Sequence, residues 1–168
     1  MTIRDHHPRQ KKRSKLSDER ETPQKRFDEW NKRWKFTVDA AASAKNAKLE
    51  HYWTKKTDGL KQSWRGHRVW CNPPFSDIGP WVEKARSFEA ELAVLLVPVW
   101  TDRKWFQAVA FIMEEFLSHQ SEPSITINLE FLSGRLCFGK PRAKTPDGPA
   151  PFPCMLMIFE RVKKHDHQ

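Results

Sequence analysis

The stretch VWCNPPF, Val69 to Phe75, runs an apolar segment directly into an amide, two prolines and an aromatic ring. Prolines fix φ and donate no ladder hydrogen bond, so a strand must stop there and the backbone beyond it is stiff. Asn72 offers a side-chain carbonyl as acceptor, and Pro73 adds a backbone carbonyl held in place by the Pro73–Pro74 pair. Two acceptors aimed at one point suit a planar –NH2 group. Accepting both of its hydrogens withdraws the nitrogen lone pair from the attached π system and makes the nitrogen nucleophilic. Fixed dipoles then meet the positive charge that builds on it. No strong general base is needed, because the proton becomes acidic once the nitrogen is alkylated. Phe75 can supply a face for a planar ring. The chemistry that fits is group transfer to an aromatic or amide amine. The plain alternative is a strand-ending turn, where Asn-Pro and Pro-Pro are common.

The elements that would carry this motif are readable around it. In ETPQKRFDEWNKRW, Thr22 is an N-cap candidate and Pro23 a first helical residue, with Phe27, Trp30 and Trp34 in one apolar stripe. KFTVDAAAS reads as a short β run from Lys35 ending in Asp39 and small residues, and TDGL at 57–60 as a turn. RVWC is a strand running into NPPF. IGPWVEKARSFEAE reads as a helix started by Pro80, and ELAVLLVPVW as a central strand covered on both faces. TDRKWFQAVAFIMEEFLSH is a second helix capped by Thr101 or Asp102, followed by strands SITINLEFL, GRLCF and CMLMIFE. Strands separated by helices predict an α/β sheet, mostly parallel, with a late antiparallel pair. Ligands of such sheets sit beyond the carboxyl ends of the strands, so DAAAS, NPPF and PVWTD should converge on one crevice.

The chain has 168 residues, enough for one domain with a real core, and is 38% hydrophobic with 8 Trp and 11 Phe. We expect a disordered basic arm over 1–16, the domain over 17–160 with a Pro-rich loop at 140–153, and a polar tail over 161–168. The formal net charge of +9 points to a polyanion, nucleic acid first, with a merely basic protein as the alternative. No apolar run is long enough to span a bilayer, and the N-terminus lacks the apolar segment of a secretory signal. Cys71, Cys137 and Cys154 are far apart and odd in number, which suggests reduced thiols, no metal framework and a cytoplasmic location.

DGLKQSWRGHRVWCNPPF, with TPQ before it, FTVDAAAS, WVEKA, LLVPVWTD, GRLCFG and a late APFP, resembles the phage-type DNA adenine-N6 methyltransferases. The resemblance spans roughly Thr22 to Glu160 and implies a compact Rossmann-like fold that uses S-adenosylmethionine. Asn72, Pro73, Pro74 and Phe75 match the [DNS]-P-P-[YF] catalytic motif, in which the amide and the first proline carbonyl hold the adenine amine while the aromatic ring stacks on the base. Thr37 to Ser43 match a cofactor-binding strand end, with Asp39 as its acid followed by Ala40 and Ala41. Thr22 and Pro23 match a threonine-proline motif that approaches the methionine part of the cofactor. Asp58 sits where related enzymes place an acid near the cofactor's adenine ring. The implied substrate is double-stranded DNA, from which the base must be flipped at a cost of a few kcal/mol. Restriction-modification and a host-cell cytoplasm are the setting that a phage origin implies.

Two departures stand out: DAAAS has no glycine, and the chain between Asp39 and Asn72 is too short for a full set of strands and helices. Arg103, Lys104, Arg135, Lys140, Arg142 and Lys144 are candidate phosphate contacts, with solvated surface as their alternative. Trp81, Trp100 and Trp105 read as core or crevice wall. The same motif chemistry also serves RNA bases and protein amides. A noncatalytic nucleic-acid-binding protein with a decayed cofactor site is a further reading, supported by the glycine-free DAAAS.

Overall fold

The computed structural model describes residues 20–118, 125–139 and 149–162. The basic arm, the start of order at Ser17, the phosphate candidates Lys140, Arg142 and Lys144, and the end of the polar tail lie outside the described residues. The elements are α1 (Gln24–Trp34), β1 (Val38–Asp39), β2 (Arg68–Cys71), α2 (Gly79–Arg86), β3 (Leu92–Pro98), α3 (Lys104–Ser118), β4 (Ile125–Phe131) and β5 (Cys154–Arg161). They form one five-stranded sheet in the order β1-β2-β3-β5-β4. β1, β2 and β3 are parallel, and β5 runs antiparallel between β3 and β4. The mixed α/β sheet with its late antiparallel pair is the expected one.

β3 is LAVLLVP, buried at every position, because it has a paired neighbour on each side and helices on each face. The register identifies those faces. Val69, Ala93, Phe159 and Ile127 pair across the sheet in one row, and Trp70, Val94, Ile158 and Asn128 in the next. Adjacent rows point to opposite faces. α1 lies on the Trp70 face, where Phe27 and Trp30 each bring a ring centroid to 5.5 Å from Trp70. Arg33 of α1 reaches Glu130 on the same face at 2.7 Å. On the other face Phe88, just past α2, meets Phe159 at 6.1 Å. The sheet is therefore sandwiched, with α1 on one side and α2 on the other.

Several boundaries differ from expectation, each for a local reason. The N-cap of α1 is Pro23, without a side-chain cap bond, and the Thr22 hydroxyl caps nothing. The β run does not start at Lys35, because Lys35 takes a left-handed φ of 51° and the Phe36 N–H is held by the Asn31 side chain at 2.8 Å. α2 ends at Arg86, since Phe88 is also left-handed at φ 49° and turns its ring onto the sheet. Neither Thr101 nor Asp102 supplies the first helical carbonyl of α3. The Phe106 and Gln107 N–H groups both bond the Arg103 carbonyl. GRLCF is not a strand. Its neighbour is the segment around Ala150, flanked by Pro149, Pro151 and Pro153, which lack the N–H groups a ladder requires. One backbone bond, Ala150 N–H to the Leu136 carbonyl at 2.9 Å, joins them instead. Between β1 and β2 the chain forms turns, and a single bridge of Tyr52 to Asp39 is its contribution to the sheet edge.

Trp70 is 1% exposed and touches Phe27, Trp30 and Phe36, so it anchors α1 to the sheet. Trp70→Ala should cost about 3–5 kcal/mol in urea-induced unfolding. A loss below about 1 kcal/mol, the size of an ordinary substitution, would mean that α1 is held elsewhere.

Candidate active site

β1 and β2 run out side by side, and the Ala40 N–H bonds the Trp70 carbonyl at 2.8 Å. The chain then leaves as the alanine run on one strand and as NPPF on the other. Between them lies a cavity of about 520 Å³, lined by Ala40, Ala41, Ala42 and Ser43 on one side and by Thr54, Asp58 and Gly59 on another. Asn72, Pro74 and Trp81 complete the wall. This size is typical of a site for a small organic ligand. A larger hollow of about 960 Å³ lies at the other end of the sheet. There Lys84 already pairs with Glu89 at 2.8 Å, and none of the strand-end segments DAAAS, NPPF and PVWTD contributes to its lining.

Asp39 lies behind the alanine wall, 3% exposed. Its carboxylate accepts the Lys48 N–H at 3.0 Å and the Ala41 N–H at 3.4 Å, so it shapes the loop and caps no helix. Burial lifts its carboxyl from 3.8 to about 6, against the opposing pull of those N–H groups and of the Lys48 charge. The opposite wall is TDGL. Asp58 is left-handed at φ 54°, accepts the Leu60 N–H at 3.2 Å and pairs with Lys61 at 3.2 Å. Gly59 packs directly on the Ala40 carbonyl, where a Cβ would clash, and the Trp64 indole N–H fixes its own carbonyl at 2.9 Å. A glycine absent from DAAAS thus stands on the segment packed against it. In the sequence Gly59 reads as a turn residue beside Asp58, and nothing local marks its contact with Ala40.

The Asn72 side chain has a defined orientation. Its Nδ2 donates to the Arg20 carbonyl at 2.8 Å, which leaves Oδ1 as the acceptor. That oxygen is buried and has no partner among the described residues, and the same is true of the Thr22 hydroxyl. Pro73 is buried under the turn, and the Pro74 carbonyl takes the Asp77 N–H at 3.0 Å. Phe75 is 9% exposed and does not line the cavity. Its ring meets Trp100, Phe138 and Phe152 at steep angles, with centroids 6.5, 5.7 and 5.7 Å away. PVWTD therefore converges on Phe75 through Trp100 and not on the cavity. Neighbouring Cys71 is fully buried and its thiol is pushed well up by burial and by Asp39, while burial lifts the Cys154 thiol to about 11. Neither supplies a thiolate.

The remaining candidates are scattered. Pro23 begins α1 away from the cavity wall. The Arg103 guanidinium lies over the Trp100 ring at 5.4 Å, and Lys104 is exposed at the start of α3. Arg135 donates to the Ala150 carbonyl at 3.1 Å. Lys55 and Lys56, which sequence reasoning did not single out, stand at the cavity rim.

A profile of the family described as DNA N-6-adenine-methyltransferase (Dam) matches residues 9–167. The chain belongs to that family. The DNA N-6-adenine-methyltransferase of Haemophilus phage HP1 (strain HP1c1) is 33% identical over 75 residues, 43% of each chain. That of Escherichia phage T1 is 31% identical over 109 residues, 62% of this chain and 46% of its own. The chain thus spans about half the length of these relatives. The solved structure of a candidate RNA methyltransferase from Pyrococcus horikoshii is 14% identical, with a TM-score of 0.38 over 68% of this chain and 52% of its own, a match too loose to bear on the site.

For this family member the cavity yields two expectations. Gly59→Ala should weaken small-ligand binding by at least about tenfold through the clash with Ala40, by analogy with the cost of overpacking. Calorimetric titration with S-adenosylhomocysteine measures it, and unchanged affinity would mean that the two walls can part freely. Asp39 binds its proton more tightly folded than unfolded, so its contribution to stability is full below pH 3.8 and is lost as pH rises through about 6. Between pH 7 and pH 4 the wild-type protein should therefore gain roughly 2 kcal/mol over Asp39→Asn in urea unfolding. A pH-independent difference would refute the burial account.

Proposed function

We propose that this protein transfers a methyl group from S-adenosylmethionine to the exocyclic amine of adenine in double-stranded DNA. The observation that carries the reading is the Asn72 amide of the cavity wall, whose Nδ2 is held by the Arg20 carbonyl so that Oδ1 is left as a buried acceptor with no partner among the described residues. A buried acceptor without a donor costs about 1–3 kcal/mol, and a ligand –NH2 removes that cost. Family membership and the names of the two phage relatives point to the same substrate.

The residues fit the cofactor. The cavity is of the right order for a nucleoside joined to an amino acid, its alanine wall lets a ligand approach the backbone, and Asp58 stands on the wall opposite. S-adenosylmethionine, when bound, supplies a methyl group already activated on a sulfonium. Asn72 Oδ1 accepts one hydrogen of the adenine amine, and the Pro73 carbonyl, by resemblance, accepts the other. With both hydrogens held, the nitrogen lone pair turns toward the cavity. On transfer the nitrogen would gain the methyl carbon, the donor would leave as a neutral thioether keeping the bonding pair, and the amine would give one proton to solvent. The protonated thiol of Cys71 leaves no competing covalent route beside Asn72. In this reading Phe75 and the rings around it receive the flipped base, and Arg103, Lys104 and Arg135 face the phosphates.

The test is transfer of a labelled methyl group from S-adenosylmethionine to adenine in duplex DNA, with RNA and protein acceptors run in parallel. Asn72→Ala should lower the rate by about 10²–10³-fold, the usual effect of removing one preoriented dipole. Label appearing chiefly on RNA or protein, or undiminished transfer by the variant, would overturn the proposal.

A further inference from the structure

The short segment that crosses the strand ends ahead of α1, residues 20–23, is tied at three points. The Arg20 carbonyl holds the Asn72 amide at 2.8 Å. The Glu21 backbone exchanges hydrogen bonds with Gly139 at 3.0 and 2.9 Å. The Glu21 carboxylate pairs with Lys48 Nζ at 2.8 Å, and the same ammonium reaches Gln24 Oε1 at 3.2 Å. The Lys48 side chain is 4% exposed, which is unusual for a lysine unless its charge is needed where it lies. Its backbone N–H is meanwhile one of the two bonds that hold Asp39.

Lys48 therefore belongs to both halves of the site. Its main chain is part of the cavity loop, and its side chain fixes the strap that orients Asn72. A methionine of similar length would fill the same space without the cost of burying an ion, so packing alone does not account for the residue. What the ion pair adds is a directional tie at a fixed place along the strap.

We infer that Lys48, through Glu21, is a positioning residue for the Asn72 acceptor, coupling the cavity loop to the amide that holds the substrate amine. The inference rests on the methyl-transfer reading, and it separates two effects. Replacing the side chain leaves the backbone bond to Asp39 intact, so the cavity keeps its shape. The strap keeps its backbone bonds to Gly139 but loses its side-chain tie, so the Arg20 carbonyl that directs the Asn72 amide is held less firmly.

The experiment compares wild type, Lys48→Met, Lys48→Arg and Glu21→Gln for methyl transfer to duplex DNA. Rates are expressed per site counted by calorimetry with S-adenosylhomocysteine, so misfolded molecules drop out. Lys48→Met and Glu21→Gln should lower kcat about 10- to 100-fold, the scale for a displacement of about 1 Å at a reacting centre, with the Kd for S-adenosylhomocysteine unchanged. Lys48→Arg should recover most of the rate. Unchanged kcat per site in both neutral variants, even with a lowered Tm, would make the pair merely structural and overturn the inference. A wild type that transfers no methyl group sinks the parent reading instead. In that event the crystal structure of Lys48→Met still decides: residues 20–23 displaced from Asn72 support the coupling, and an undisturbed strap refutes it.

Discussion

The hydrogen bond from the Ala40 N–H to the Trp70 carbonyl, 2.8 Å long, is where the architecture turns into a site. It lies at the last rung of a parallel pair. In a parallel pair both chains leave from the same edge, so whatever follows β1 lies beside whatever follows β2. That single geometric fact sets the alanine run against NPPF. An antiparallel pairing of the same strands would put the two segments at opposite ends of the sheet. Because no helix fills the connection from residue 40 to 67, the turns built around Trp53 and Trp64 close over the strand ends and leave the cavity inside the bend.

The two ends of the molecule differ in energetic character. Around Trp70 the rings of Phe27, Trp30, Trp34 and Phe36 form a continuous aromatic layer in which every contact is favourable. At the strand ends the structure carries costs: a carboxylate buried at Asp39, a buried ammonium at Lys48, and unpartnered oxygens on Thr22 and Asn72. Each unpaired oxygen costs on the order of 1–3 kcal/mol, which is a sizeable share of a typical domain's net stability. Such costs persist where a ligand removes them, and they lie around the same strand ends as the cavity.

Much of this was legible in the residues. An unbroken apolar run can hardly be anything but a covered strand, so β3 was plain, and NPPF marked its own strand end because proline cannot continue a ladder. What failed to show was anything decided by a partner distant in sequence. Thr22 has every local property of an N-cap, yet its hydroxyl is drawn into the interior by the strap that crosses the strand ends. GRLCF has strand composition but faces a proline-flanked neighbour with too few N–H groups to pair with it. Gly59 reads as a turn glycine, because only the close approach of the Ala40 carbonyl, 19 residues back in the chain, reveals the missing space. Lys48, in a polar stretch of ordinary appearance, gave no signal of burial. Its partner Glu21 lies 27 residues away.

Asp39 lies where the fold and the cavity meet, buried behind the alanine run. At neutral pH a group with a pKa of about 6 is ionised despite its burial, and the two N–H groups that hold it carry no net charge to offset its own. The nearest counter-charge, the Lys48 ammonium, is already committed to Glu21. A cation placed in the adjoining cavity would therefore meet a negative potential that the protein leaves only partly neutralised, and would in turn favour the ionised carboxylate. The buried acid is thus a further cost that the folded chain carries beside its cavity, of the same kind as the unpartnered oxygens at the neighbouring strand end.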